Sequence, residues 1–205
     1  MEKEKNALIL TSKTMDAVTS IKNNMLALKE SKKVIMQQKS IYAQEESTLL
    51  LLDVSLSMND LDGDERPKID AVKNIVAKIK NAKKIAFSSS VEVIGNGCDL
   101  GYPGGSTNLA YAFEYIRTKG IYRGKKIILV SDGEPDDPEL AIEELKMLKQ
   151  PIYIIYIGES GTEGEYFMKK IASITKGSSH IVQPMGQNFT NRLENSVKTL
   201  LIEKI

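Results

Sequence analysis

The 205-residue chain is poor in the side chains that most often carry covalent and acid–base chemistry, with one cysteine, Cys98, and one histidine, His180. A single cysteine cannot form a disulfide within the chain, and Cys98 has no second thiol or base near it in the sequence. His180 falls in a predicted terminal strand far in sequence from the other polar motifs, which favours a structural role. We therefore expect no catalytic residues and a reducing, cytoplasmic location.

Long apolar runs and an excess of one charge are also lacking. No segment approaches the roughly 20 apolar residues of a membrane span, and the apolar residues 7–10 are too few for the apolar region of a signal peptide. The formal net charge of +1 gives no overall attraction to nucleic acid or to a membrane surface. We expect neither as a partner.

Glycine and proline are absent from residues 1–46, which are rich in lysine, glutamate, glutamine, methionine and alanine. This composition predicts a long helix or a helical hairpin. One stripe of apolar residues recurs at three- and four-residue steps, comprising Val18, Ile21, Met25, Leu28, Ile35 and Tyr42. Lys32 and Lys39 fall on the same stripe, which argues against a regular coiled coil. Two interpretations remain open: a helix that packs on its own domain, and a helix that binds a partner or a second copy of the chain.

The most informative stretch spans residues 48–58 and reads TLLLLDVSLSM. Its apolar run without alternation predicts a strand buried on both faces, which is typical of the middle of a parallel sheet. Asp53 ends this strand, and Ser55 and Ser57 follow at alternate positions. Ligands of open α/β sheets bind outside the carboxyl ends of the strands, so we expect these three side chains to project into that crevice. Their oxygen atoms are the hard ligands that Mg²⁺ prefers.

Two later stretches bring further oxygen atoms to the same edge. Residues 104–109, GGSTNL, combine a glycine turn with Thr107 at the start of a predicted helix, and the glycines let the backbone approach the site closely. Residues 127–133, IILVSDG, form a second predicted buried strand followed by Asp132. The candidate site therefore contains two carboxylates and three hydroxyls.

Strands alternate with helices along residues 47–205, which predicts a Rossmann-like α/β fold with a doubly wound, mostly parallel central sheet flanked by helices. The predicted elements after residue 58 are a helix at 67–81, two short strands at 84–95, helices at 107–119 and 138–148, a strand at 151–158, a helix that Gly177 ends, a short strand at 180–182 and a closing helix at 188–205. Residues 1–46 add the long helix or helical hairpin to this fold.

The set of Asp-x-Ser-x-Ser, then Thr, then Asp resembles the metal-ion-dependent adhesion site of von Willebrand factor A domains. The resemblance covers residues 47–205 as one domain and leaves residues 1–46 as a helical extension. Intracellular members of this family often work beside AAA+ ATPases or in multiprotein assemblies, and these are the partner classes that the resemblance implies. It also favours a prokaryotic or phage origin.

The resemblance implies a role for each candidate residue. Ser55, Ser57 and Thr107 would bind Mg²⁺ directly, and Asp53 and Asp132 would hold water molecules or bind the ion in alternate states. Mn²⁺ or Ca²⁺ could replace Mg²⁺, since oxygen ligands of this kind accept all three. One coordination position would stay open for a Glu or Asp side chain of a partner protein.

Three other site types fit the sequence less well. A haloacid-dehalogenase-like phosphatase needs a second acid where the chain has Ser55, and a P-loop needs a lysine after its glycines, where residues 104–108 have none. An EF-hand-like loop at Asp60, Asp62 and Asp64 lacks the glycine of its sixth position and the glutamate of its twelfth.

The sequence-based hypothesis is thus a non-catalytic, metal-dependent protein-binding module. One alternative is a structural assembly protein that oligomerises through residues 1–46, with the metal only stabilising the fold. A second alternative is a metal-dependent hydrolase. Ro-type RNA-binding proteins carry a similar domain, but their helical RNA-binding repeats have no counterpart in this sequence, which argues against nucleic acid as a partner.

Overall fold

The computed structural model of the protein describes residues 22–23, 25–36, 47–95, 99–120, 125–185 and 187–202. The chain separates into two units, Met1–Ile41 and Tyr42–Ile205. The division of the chain into domains at residue 46 stays a prediction.

The first unit contains a helix, α1, to which residues 22–23 and 25–36 belong. Six large apolar side chains of α1 are more than half exposed: Met25, Leu26, Leu28, Val34, Ile35 and Met36. Val18, Ile21 and Tyr42 of the predicted stripe lie outside the described residues, as does Lys39. The choice between one helix and a hairpin therefore stays open, and the described part presents apolar surface.

The second unit alternates strands and helices as the sequence predicts. Its described residues form the strands β1 (Thr48–Asp53), β2 (Lys83–Phe87), β3 (Val91–Ile94), β4 (Lys126–Ser131), β5 (Ile152–Tyr156) and β6 (Ser179–Ile181). Its α-helices are α2 (Lys68–Lys78), α3 (Leu109–Lys119), α4 (Pro138–Leu148), α5 (Glu163–Thr175) and α6 (Phe189–Ile202). A short 3₁₀ helix covers Leu56–Asn59.

The six strands form one sheet in the order β3-β2-β1-β4-β5-β6. All neighbouring strands are parallel except β2 and β3, which form an antiparallel hairpin at one edge. The predicted α/β fold with a mostly parallel sheet is confirmed. Strand β1 lies between β2 and β4, so the chain that leaves β1 at Asp53 starts from the middle of the sheet.

The four leucines of β1 are buried on both faces of the sheet, as their unbroken run predicts. Leu50 and Leu52 pack in the core beneath α2 and α6, and Leu49 and Leu51 pack in the core beneath α3, α4 and α5. None of the four is more than 1% exposed. Burying a leucine side chain contributes about 2 kcal/mol, so this strand fixes the centre of both cores.

Side-chain caps place two helix starts near the carboxyl edge of the sheet. The Asn108 side chain accepts a hydrogen bond from Tyr111 N, so α3 begins at Leu109 and Thr107 precedes it, two residues later than predicted. The Asp137 side chain accepts from Leu140 N and starts α4 at Pro138. Asparagine and aspartate are preferred at this position because they satisfy a free backbone N–H.

No helix in the described ranges combines the length and the apolar composition needed to cross a membrane. Cys98 lies outside those ranges, and His180 lies in β6 in register with Ile155, which is where the sequence predicts it.

Candidate functional site

The five predicted site residues lie in three segments at one edge of the sheet, which are the end of β1 with the loop after it, the glycine loop before α3, and the loop after β4. The loop after β1 is joined to the glycine loop by two backbone hydrogen bonds, from Gly104 N to Val54 O (2.9 Å) and from Leu56 N to Gly105 O (3.1 Å). The glycine loop is in turn joined to the loop after β4, since Asp136 N donates to Thr107 O at 3.1 Å. The main chain therefore brings the three motifs together, although they are far apart in sequence.

Asp53 is completely buried, and both of its carboxylate oxygens accept hydrogen bonds. Ser55 N donates to Oδ1 at 2.8 Å, and the Ser131 hydroxyl donates to Oδ2 at 2.6 Å. Ser131 was not among the predicted residues. Ser131 ends strand β4, directly after the four apolar residues 127–130, and β4 lies beside β1. This polar residue at the end of a buried apolar run is the signal that could have identified it.

Burial raises the pKa of the Asp53 carboxyl from its ordinary value of 3.8 to about 6. The hydrogen bonds from Ser131 and Ser55 lower the pKa, whereas the negative charge of Asp132 raises it further. Removing a carboxylate from water disfavours its charged form unless a positive charge lies near it. Asp53 is therefore a carboxylate whose charge a bound cation would stabilise.

The two serines and Asp132 form a continuous chain of hydrogen bonds. The Ser57 hydroxyl donates to Asp132 Oδ1 at 2.7 Å, and the Ser55 and Ser57 hydroxyl oxygens are 3.1 Å apart. A hydroxyl has one proton to donate. Because that of Ser57 goes to Asp132, Ser55 donates to Ser57, and the lone pairs of Ser55 remain available to another partner.

Thr107 is buried and is held at both backbone polar groups by Asp136. Thr107 N donates to Asp136 Oδ1 at 3.1 Å, and Thr107 O accepts from Asp136 N at 3.1 Å. This pair of bonds ties the Thr107 loop to the Asp132 loop. The structure thus places all five predicted residues at one edge and adds Asp136 as the residue that fixes the position of Thr107.

Lys68 is a third residue of the site that was not predicted. Its ammonium group lies 2.7 Å from Asp132 Oδ2, 3.3 Å from Ser57 O and 3.4 Å from Asp60 Oδ2. Its side chain is only 12% exposed, and that of Asp132 is fully buried. A lysine at the first residue of a helix opposes the helix dipole, and this unfavourable position of Lys68 in α2 is the signal in the sequence.

The donor set fits a hard cation. Two carboxylates and three hydroxyls supply only oxygen atoms, which Mg²⁺ prefers, and Mg²⁺ retains some of its own water molecules. Within the part of the chain that the structure describes, no group of three or more His, Cys, Asp or Glu side chains could hold a metal ion. A cation at this edge would therefore depend on the hydroxyl groups.

The carboxylates of the acidic loop after the 3₁₀ helix form hydrogen bonds and ion pairs with neighbouring residues of the chain. Asp62 accepts hydrogen bonds from Asp64 N (2.8 Å) and Arg66 N (3.1 Å), and Asp64 forms an ion pair with Arg66 at 3.1 Å. Asp60 faces Lys68 instead. These local bonds stabilise the turn and account for the alternating acids without an EF-hand-like ion.

The two glycines of the Gly104-Gly105 loop are expected to differ in their tolerance of a side chain. Gly105 has φ +75° and a Cβ there would lie 2.5 Å from Ser89 Oγ, whereas a Cβ at Gly104 meets no atom within 4 Å. We expect Gly105→Ala to lower the free energy of unfolding by about 2 kcal/mol and Gly104→Ala to change it by less than about 0.5 kcal/mol, measured by urea denaturation. Equal losses in the two variants would contradict this assignment.

Comparison with known proteins supports the fold. A scan against protein-family models found no match, and a search of curated proteins found no similar sequence. A von Willebrand factor type A structure from Catenulispora acidiphila is similar with a TM-score of 0.58 and 17% identity, covering 76% of this chain and 41% of that one.

The PilB minor pilin from Streptococcus sanguinis is similar with a TM-score of 0.49, and a point mutant of it with 0.50. Both are 13% identical to this chain and match 76% of it and 61% of their own length. This chain therefore spans less than two thirds of each of these structures. At such low identity the similarity to the Catenulispora acidiphila structure shows the fold alone, which is like that of von Willebrand factor type A domains.

Proposed function

We propose that this protein is a non-catalytic binding module that holds Mg²⁺ at the carboxyl edge of its sheet and captures a Glu or Asp side chain of a partner protein. The observation that supports this proposal is the hydrogen-bonded group of Asp53, Ser55, Ser57 and Asp132, in loops that backbone hydrogen bonds tie to the loop of Thr107. The similarity to von Willebrand factor type A domains supports it further. Mn²⁺ or Ca²⁺ fits the same oxygen donors.

Each site residue has a distinct part in the proposed module. Ser55, Ser57 and Thr107 would hold the ion directly, and Asp53 and Asp132 would hold its water molecules. Bound there, Mg²⁺ would supply an open coordination position for a carboxylate oxygen. The buried serine hydrogen bonds described above keep the two acids in fixed orientations, so little ordering is needed when the ion binds.

The proposed partner is a protein with an exposed acidic side chain, such as a neighbouring AAA+ ATPase or another subunit of a multiprotein assembly, in the cytoplasm. Leu56 is 64% exposed although it lies between the two site serines. An apolar side chain next to a carboxylate-binding position fits a partner surface that combines an acid with an apolar residue. No catalytic role is proposed for these residues.

Thr107→Val tests the proposal without changing the size of the side chain. We expect the Mg²⁺ affinity of this variant to fall by at least about ten-fold, because removing a group that binds or orients a metal ion has effects of this size. Mg²⁺ binding is measured by isothermal titration calorimetry. The matched control is Ser106→Ala, which removes the neighbouring exposed hydroxyl, bonded to Ser89 Oγ at 3.2 Å, and should bind as the wild type does.

A random peptide library provides the test of ligand class. Immobilised wild-type protein in Mg²⁺ should enrich peptides that contain Glu or Asp, and the enrichment should disappear in EDTA and with Thr107→Val. Enrichment that is the same in EDTA, or that shows no acidic preference in Mg²⁺, would contradict the proposed function. If residues 1–46 alone drive self-association, the oligomer persists in EDTA and the assembly alternative gains support.

A further inference from the structure

Lys68 is part of the candidate site but is not one of its oxygen donors. It occupies the first position of α2, and its ammonium group forms an ion pair with the buried Asp132 at 2.7 Å. The remaining oxygen of Asp132 accepts the Ser57 hydroxyl at 2.7 Å. Both oxygens of this carboxylate are therefore engaged, one by a hydroxyl and one by a cation that belongs to the protein.

The ion pair has an electrostatic consequence for any ion that binds beside it. A buried carboxylate is strongly disfavoured without a compensating charge, and Lys68 supplies that charge to Asp132. A dication held by the same group of residues would lie close to the ammonium, and like charges at short distance repel. Lys68 thus stabilises the metal-free site and destabilises the loaded one.

We propose that Lys68 is a built-in competitor of the metal ion, which lowers the affinity of the site for Mg²⁺ by holding Asp132. This inference rests on the proposed function, since it concerns the ion that the module would hold. It adds that binding of the ion requires Asp132 to exchange its bond to Lys68 for the ion.

Asp60 gives Lys68 an alternative partner. Its carboxylate is 3.4 Å from the Lys68 ammonium, and its side chain is 70% exposed. A lysine has a long, flexible side chain, so the ammonium can move towards Asp60 and solvent when a bound ion compensates the charge of Asp132. Lys68 can therefore release Asp132 to an ion without its own ammonium being left buried and unpaired.

Metal affinity in the full-length chain tests this proposal. Mg²⁺ is titrated calorimetrically into the wild type, Lys68→Met and Lys68→Arg, with Lys73→Met as the control from the same helix, where Lys73 pairs with Asp99 at 3.6 Å. We expect Lys68→Met to bind Mg²⁺ at least about ten-fold more tightly, since a neighbouring like charge has effects of this order. Lys68→Arg and Lys73→Met should stay close to the wild-type affinity.

The melting temperature gives a readout that does not depend on the titration. In EDTA, Lys68→Met should melt at a lower temperature than the wild type, because Asp132 loses its ion pair, and Mg²⁺ should raise its melting temperature by more. Asp60→Asn, at an exposed position, is the second variant. It confines Lys68 to Asp132, so Mg²⁺ affinity should fall in the wild-type background and change less in the Lys68→Met background.

The outcomes separate this inference from the proposed function. If the wild type binds Mg²⁺ and Lys68→Met binds it equally or more weakly, the competitor role is overturned while the binding module stands. If neither protein binds Mg²⁺, both the module and the competitor role are overturned. Binding by Lys68→Met alone would support the competitor role most strongly.

Discussion

Replacing Asp53 by asparagine is expected to stabilise the protein in EDTA at about pH 8 and, at the same time, to weaken its binding of Mg²⁺. The amide keeps the shape of the carboxyl group. Its oxygen can accept from Ser55 N, and its NH₂ group can donate to the Ser131 hydroxyl, which accepts as readily as it donates. The variant therefore removes a buried charge and leaves the local hydrogen bonds in place.

The sign of the effect follows from the pKa of Asp53. Burial raises this pKa from 3.8 to about 6, so the folded protein favours the protonated carboxyl more than the unfolded chain does. Protonated Asp53 therefore contributes stability to the folded protein that is fully present below about pH 4 and is lost as the pH rises through about 6. The loss amounts to about 3 kcal/mol for a shift of this size. Asparagine does not titrate, so the variant avoids this loss.

Urea denaturation in EDTA across this pH range measures the difference. The variant and the wild type should have similar free energies of unfolding at about pH 4, and the variant should be more stable by up to about 3 kcal/mol at about pH 8. In Mg²⁺ the order should reverse, because only the wild type gains stability by binding the ion. Mg²⁺ affinity of the variant should fall by about 100-fold.

A control substitution separates this effect from a general change in charge. Asp99→Asn removes a carboxylate that is 72% exposed in its side chain, and we expect its free energy of unfolding to change by less than about 0.5 kcal/mol at any pH. If Asp53→Asn were less stable than the wild type in EDTA at high pH, the buried charge would not be costly. If it bound Mg²⁺ as tightly as the wild type, Asp53 would not serve the ion.

The fold could be predicted because its strongest signals are local. Four leucines in a row leave no face for solvent, and the structure divides them between the two cores of the sheet, with Leu49 and Leu51 on one side and Leu50 and Leu52 on the other. The ends of the helices were less predictable. Thr107 precedes α3 because Asn108 caps the helix, and a cap residue cannot be chosen from composition when several polar residues adjoin.

The missed residues of the site are those whose partners lie far away in sequence. Ser131 bonds to Asp53 across two neighbouring strands, and their adjacency follows from the strand order, which the sequence does not state. Lys68 reaches Asp132 from the first residue of a helix, where a charged residue is usually read as solvated. The oxygen-donor motif identified the acids and hydroxyls, while the residues that set their charge and orientation required the structure.

Gly177 lies at the end of α5 as predicted, but the structure requires glycine there for a different reason from the predicted one. The sequence predicts that Gly177 caps the end of α5, but the residue in the left-handed conformation is Lys176, with φ 59°. Gly177 is needed because of space. A Cβ there would lie 1.8 Å from the carbonyl oxygen of Ile152 and 2.6 Å from its carbon, which are backbone atoms of β5.

We expect Gly177→Ala to lower the free energy of unfolding by about 3 kcal/mol, at the upper end of the range for overpacked positions. The clash is not easily relieved. Strand β5 is held between β4 and β6, and Gly177 N is fixed by its bond to Ala172 O at 2.9 Å. Urea denaturation of the variant is compared with that of Gly133→Ala, where a Cβ meets no atom within 4 Å.

Lys176→Gly distinguishes a steric requirement from a conformational one. Glycine adopts positive φ without strain, so this variant should keep its stability or gain up to about 1 kcal/mol. If Gly177→Ala lost as little as Gly133→Ala, the connection between α5 and β6 would have to be loose enough to move away from β5. A large loss at Gly177 together with no loss at Lys176→Gly would establish that close packing on β5, and not the left-handed turn, requires glycine where α5 ends.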